Sequence, residues 1–170
     1  AKKSPSAPPA VRLYQVSNKS PEAEKAFNAA LEAEPDNEEA LAGLAKLYSD
    51  LGDTRRAAEK LKAIADKSPN ERTLAALAQQ YEDLNQFKEA AEILKKLRDI
   101  APNNTKIAAA LARDLMFSDQ LDEALHIFQQ LAQADPKDWQ SQLYIAQIYG
   151  AKQDTANARA ALSKAKALNG

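Results

Sequence analysis

The sequence predicts an all-α fold, a solenoid of stacked antiparallel helix–turn–helix hairpins. Three observations carry this. Landmark residues recur every 33 or 34 positions along a chain of 170 residues. Each period splits into two amphipathic helical patterns around a short polar break. Glycine is scarce, at 4 residues, whereas sheets with tight hairpins and phosphate-cradling loops both consume it. Hydrophobic residues at 45% and charged residues at 28% are globular proportions, enough for a core without staples.

The period is fixed by independent landmarks. Pro35, Pro69, Pro102 and Pro136 lie at intervals of 34, 33 and 34. Tyr14, Tyr48, Tyr81, Leu115 and Tyr149 keep those intervals, as do Ala23, Ala57, Ala90, Ala124 and Ala158. Phe27, Leu61, Leu94, Phe128 and Leu162 form a fourth series. The short interval localises to the turn after Pro69, where losing one residue is tolerated best. Repeats of this length imply stacking, because no single hairpin can bury its own apolar face.

The elements follow in order. Residues 1–7 read as a flexible leader, with Lys2, Lys3, Pro5 and two serines. Residues 8–37 hold a partial repeat: a short helix from about Pro9 to Asn18, then a helix over Pro21–Glu34. In 38–70, Leu41, Leu44, Ala45 and Tyr48 make one face of a first helix. Gly52-Asp53 breaks it. Ala57, Leu61 and Ile64 line a second helix that ends before Pro69. Residues 71–104, 105–138 and 139–170 repeat the plan, with breaks at Asn85-Gln86, Asp119-Gln120 and Gln153-Asp154.

These residues resemble the tetratricopeptide repeat family. Its spacing of a bulky residue, Leu-Gly, Tyr, Ala, Phe and Pro reads here as Leu41, Leu44-Ala45, Tyr48, Ala57, Leu61 and Pro69. The next repeats give Leu74, Leu77-Ala78, Tyr81, Ala90, Leu94, Pro102, and then Ala108, Leu111-Ala112, Leu115, Ala124, Phe128, Pro136. The last gives Gln142, Ile145-Ala146, Tyr149, Ala158 and Leu162. Two departures stand out. The bulky first position weakens to Ala108 and Gln142, with Leu143 or Trp139 as replacements, and alanine takes the place of the family's glycine. The resemblance runs from about Tyr14 to the end. It implies a right-handed superhelix and a protein-interaction module that is not an enzyme.

Little in the sequence supports catalysis. There is no cysteine, so thiolate metal sites and cysteine nucleophiles are excluded, and one histidine, His126, excludes multi-histidine sites. His126 is expected on the solvent side of a second helix, with Asp122 one turn away as a local i, i+4 partner. Adjacent acids such as Glu38-Glu39 and Asp122-Glu123 open helices, where carboxylates suit the dipole. No phosphate loop, calcium loop or His-Glu-x-x-His is present. No cofactor is expected. A net charge of -1 argues against a nucleic-acid partner, no apolar run is long enough for membrane insertion, and the composition fits any compartment.

Binding is expected on the concave wall built by the first helices. Ala42, Gly43, Ala75, Ala76, Ala109 and Ala110 make a floor of small side chains with room for a peptide or helix. Lys46, Gln79, Arg113 and Gln147 form a polar, partly basic ladder, continued by Arg12 in the partial repeat. Met116, Phe117, Leu143 and Tyr144 gather apolar surface for a hot spot. Two placements stay open for Met116, Phe117 and Tyr144, groove or core, and Trp139 either packs on its turn or anchors a ligand. The two-carboxylate clamp of chaperone-binding relatives matches here at Lys46 and Lys106 but fails at Ala42, Ala76 and Ala110.

The last helix is expected to cap itself. Arg159, Ala161 and Lys166 replace apolar residues of earlier repeats, leaving an inward Leu162 plus Leu168; the alternative is a fragment of a longer chain. The leading function is a protein or peptide partner held in the groove. The alternative is a structural scaffold or oligomerisation segment of a longer protein, monomeric or weakly self-associating through its ends.

Overall fold

The computed structural model describes residues 20–169. The leader, the short helix expected over Pro9–Asn18, Arg12 and Tyr14 lie outside the described residues. Those described form helices and turns without a strand, as expected of an all-α helical repeat: α1 Ser20–Ala33, α2 Glu38–Asp50, α3 Thr54–Lys67, α4 Glu71–Asp83, α5 Phe87–Ile100, α6 Thr105–Phe117, α7 Leu121–Ala134, α8 Trp139–Ala151 and α9 Thr155–Asn169.

Periodic capping sets the boundaries. Asn37, Asn70, Asn104 and Asp138 precede the first helices, and each side chain accepts a bond from a first-turn backbone N–H. Such a cap contributes about 1 kcal/mol. Asp53 and Asp154 cap second helices α3 and α9 in the same way. Gln86 and Gln120 hold that place before α5 and α7 but make no capping bond.

The polar breaks are left-handed helix stops. Gly52, Asn85, Asp119 and Gln153 have φ of 74°, 57°, 62° and 61°. Around Gly52, the Asp53 N–H donates to the Tyr48 carbonyl at 2.8 Å and the Gly52 N–H to the Ser49 carbonyl at 3.0 Å, a pair of hydrogen bonds that closes the helix end. Gln120 to Leu115 at 2.8 Å and Asp154 to Tyr149 at 2.9 Å repeat the first of these. At these three stops the recurring Tyr/Leu landmark therefore supplies the carbonyl.

The chain divides into two compact units, one ending at Leu84 and the other beginning at Asn85. In the first, α1 packs on α2, α2 on α3 and α3 on α4. Its core joins Ala23, Phe27, Ala40, Leu44, Tyr48 and Ala57. Phe27, 1% exposed, lies directly over Gly43: a Cβ there would stand 2.2 Å from the ring. Gly43 is thus buried packing between α1 and α2, correcting its expected place on the groove floor.

A polar cluster ties the first unit together beside that core. The buried Tyr48 hydroxyl donates to Glu24 Oε1 at 2.8 Å, and Arg56 lies over the Tyr48 ring, 4.2 Å from its centre. Arg56 also pairs with Glu24 at 3.1 Å and Asp53 at 2.5 Å. Burial, then the Glu24 contact, pushes the Tyr48 hydroxyl pKa up. Hydrogen bonds from Arg56 hold the Asp53 carboxyl below its usual range.

In the second unit each of α5 to α8 packs on the next. Leu111, Leu115, Phe128 and Ile148 are fully buried. The Tyr144 ring of α8 stacks on Phe128 at 4.6 Å and 13°, so this recurring Phe/Leu position is roofed by the following first helix. On α9 the buried residues are instead Ala161 and Ala165, while Leu162 is 51% exposed and Leu168 40%. The expected inward Leu162 is corrected: it holds the register of Phe128, and no described helix covers it.

Candidate functional site

The first unit contains a cleft of about 520 Å³ between α2 and α4, with α3 beneath. Its floor is Ala45, Leu61 and Ile64, and its walls are Ala42 and Ala76. Alanine at these two places leaves the opening, since a larger side chain on either helix would bridge it. Glu38, Lys46, Ser49, Asn70, Arg72 and Gln80 make a polar rim. The geometry is that of a ligand cleft, an apolar trough with a few convergent polar groups.

The rim groups differ in how firmly they are held. Lys46 Nζ sits 2.8 Å from Asp50 Oδ2, with both side chains well exposed. Such a pair contributes little to stability and exchanges easily for an incoming carboxylate. Ser49 Oγ reaches Gln80 Oε1 at 3.4 Å, a weak link from α2 to α4. Arg72 is exposed and makes no ion pair with another described residue. Asn70 is occupied as the cap of α4.

Of the first unit's ladder residues, Lys46 lines the cleft and Gln79 does not. Gln79 points outward and donates to Asp83 at 3.0 Å, while Gln80 takes the cleft. Thr73, Ala76 and Gln80 share one face of α4, turned toward α2. Ala76 was expected in the groove, but Thr73 and Gln80, with Glu38, Asn70 and the second-helix residues Leu61 and Ile64, were missing from it. The i, i+3, i+7 spacing of the α4 residues was the available sign.

The remaining site candidates lie in the second unit. Arg113 and Met116 are half-buried on α6, and Phe117 is 58% exposed with its ring 4.9 Å from Phe87 at the start of α5. On α8, Leu143 and Tyr144 are half-buried and Gln147 is exposed. One Tyr144 face is already spent on Phe128. Trp139 is half-buried as the first residue of α8.

His126 is exposed, with Nε2 3.1 Å from Gln130 Nε2. Asp122 bonds to Lys152 instead, which corrects the expected Asp122–His126 pair: the cation on the segment following α8 is the stronger partner for a carboxylate. Among the described residues no group of His, Asp or Glu could hold a metal ion, and no helix is long and apolar enough to cross a membrane.

Comparison with known proteins agrees with this architecture. The tetratricopeptide repeat profile matches residues 17–81, 50–115 and 81–141, well over half of the chain. YrrB, described as a TPR protein with an unusual peptide-binding site, superposes with a TM-score of 0.73 at 22% identity, covering 93% of this chain and 82% of that one. A crystal structure of MamA gives 0.68 at 19% identity, covering 94% of each chain. MamA from Desulfovibrio magneticus RS-1 gives 0.71 at 19%, covering 96% and 97%. Likeness at these identities is one of fold. No curated protein matches the sequence. Periodic caps, left-handed stops between paired helices and the profile match over three overlapping stretches agree: the chain belongs to the tetratricopeptide repeat family.

Proposed function

We propose that this protein-interaction module holds an extended segment of a partner protein in the cleft between α2 and α4. The observation that carries the reading is the cleft itself, about 520 Å³ with an apolar floor and a rim holding Lys46 and Arg72. Extended peptides suit such a trough, with alternate side chains entering the floor and backbone groups meeting the rim. The two cations favour a partner with acidic residues. In the second unit, Arg113, Met116, Phe117, Leu143, Tyr144 and Gln147 offer further contacts, with the exposed Phe117 as anchor.

The test is a selection of peptides by display on the intact protein, followed by affinity measurement. Arg72→Glu should weaken selected peptides by about tenfold or more, since a charge-assisted contact is lost and a repulsion added. Equal affinity for both forms would rule this cleft out. A second reading, self-association, rests on the exposed Leu162 and Leu168 of α9. It predicts a mass that grows with concentration and returns to the monomer in Leu162→Asp; a constant mass excludes it.

A further inference from the structure

A second hollow, of about 320 Å³, lies in the second unit between second helices α7 and α9, with α8 as its floor. On the α9 bank a space-filling residue is missing. Ala161 stands where the two repeats before it carry the buried Ile93 and Ile127. A large aliphatic residue at Ala161 would fill much of the space. Gln142 makes the lining polar at the position held by Leu41, Leu74 and Ala108 in the earlier repeats.

The lining differs chemically from the α2–α4 cleft. Gln129 and Gln133 stand on the α7 bank, Asn157 and Lys164 on the α9 bank, and Tyr149 rises from the floor. Gln129 Nε2 comes within 3.4 Å of the Tyr149 hydroxyl. The Asn157 amide nitrogen donates to Asp154 at 2.7 Å, which turns that nitrogen toward the helix start and leaves the amide oxygen as the available group. Lys164 is the one charged residue of the lining, no carboxylate joins it, and it has no ion pair among the described residues. From Asn157 to Lys164 the bank runs about 10 Å at ~1.5 Å per residue. That length takes about three extended residues at ~3.3 Å each.

We propose that this hollow is a second peptide site, taking a short extended segment whose carboxylate sits at Lys164. The Gln129 and Gln133 carboxamides on one bank and the Asn157 amide oxygen on the other offer donors and acceptors, which suits the alternating N–H and C=O of an extended backbone. The small Ala161 on the α9 bank admits the backbone closely. A lone ammonium without a competing anion selects a negative group at that end. The carboxylate can come from a chain terminus or from an acidic side chain.

The test is a titration of the isotope-labelled intact protein, followed by amide NMR signals. Three probes separate the sources: N-acetyl-tetra-alanine with a free C-terminus, its C-terminal amide, and an N-acetyl, C-amidated Ala-Ala-Glu-Ala. The free acid should shift the backbone signals of Ala160 and Ala161 and the side-chain amides of Gln129 and Gln133. The uncharged amide should bind about tenfold more weakly, the loss of one charge-assisted contact. Equal binding of the glutamate peptide assigns the carboxylate to a side chain; weak binding assigns it to a terminus. Lys164→Gln should remove the preference for charge, and Ala161→Ile should abolish the shifts while the protein melts no lower. Absence of shifts at these residues, shifts that survive Ala161→Ile, or the same shifts from maltotetraose would overturn the proposal. Shifts confined to Ala42 and Ala76 would report the α2–α4 cleft alone and overturn it equally.

Discussion

Gly43 and Gly150 both lie in first helices, and alanine should change stability in opposite directions at the two positions. Glycine inside a helix costs about 1 kcal/mol relative to alanine, so propensity alone predicts a gain of that size at each. A Cβ added at Gly150 would meet nothing within 4 Å, and the gain should appear in full. At Gly43 the new methyl would stand 2.2, 2.3 and 2.9 Å from three Phe27 ring carbons. Ordinary carbon contacts are about 3.5–4.0 Å. The ring, 1% exposed, is enclosed by its core neighbours and cannot swing into solvent without emptying the core. Overpacking of this kind costs about 1–3 kcal/mol, which outweighs the propensity gain. For a chain of this size 1 kcal/mol moves the melting temperature by about 2–4 °C. Thermal unfolding followed by circular dichroism should therefore place Gly150→Ala about 3 °C above the parent and Gly43→Ala below it. Phe27→Leu in the Gly43→Ala background should cost less than Phe27→Leu alone, because the methyl then has room. A Gly43→Ala protein that gains as much as Gly150→Ala would refute the packing argument.

Gln86→Asp and Gln120→Asp should each raise stability by about 0.5–1 kcal/mol in urea titration, since they restore the cap that Asp53 and Asp154 supply. At the left-handed stops Gly52→Ala should destabilise, whereas Asp119→Gly and Gln153→Gly should gain about 0.5 kcal/mol or more by removing Cβ strain, read in the same titration. For pH, Asp53 is the informative group, its folded pKa lowered by Arg56. A depressed carboxyl pKa adds stability that is complete above the unfolded value of about 4 and is lost as pH falls through the folded one. Asp53→Asn should therefore flatten the acid limb of the stability profile below about pH 4, and an unchanged limb would show that Asp53 does not shape it.

The fold was legible in the sequence because repetition amplifies weak signals. Four landmark series with one period located every helix pair among the described residues, and the polar breaks fell on the four left-handed residues. A fifth series, Ala40, Thr73, Ile107 and Ser141, is just as regularly buried but escapes a hydrophobicity pattern, since two members are polar. Site placement was less legible. Gly43 and Gly150 look alike in a helical projection; only the Phe27 ring, from another helix, separates them. Gln79 and Gln80 are adjacent, and a rotation of one residue decides which enters the cleft. Leu162 carries the apolar landmark of its series, yet burial there depends on a neighbouring helix, as Tyr144 provides for Phe128.

A peptide held between α2 and α4 is tested most directly by mapping a display-selected peptide on the intact protein by amide NMR, with Ala76→Phe as the filled-cleft control. Binding in the cleft predicts saturable shifts at Ala42, Ser49, Ala76 and Gln80, lost in Ala76→Phe while helicity is kept. Shifts clustered elsewhere, or unchanged affinity in a folded Ala76→Phe protein, would contradict it.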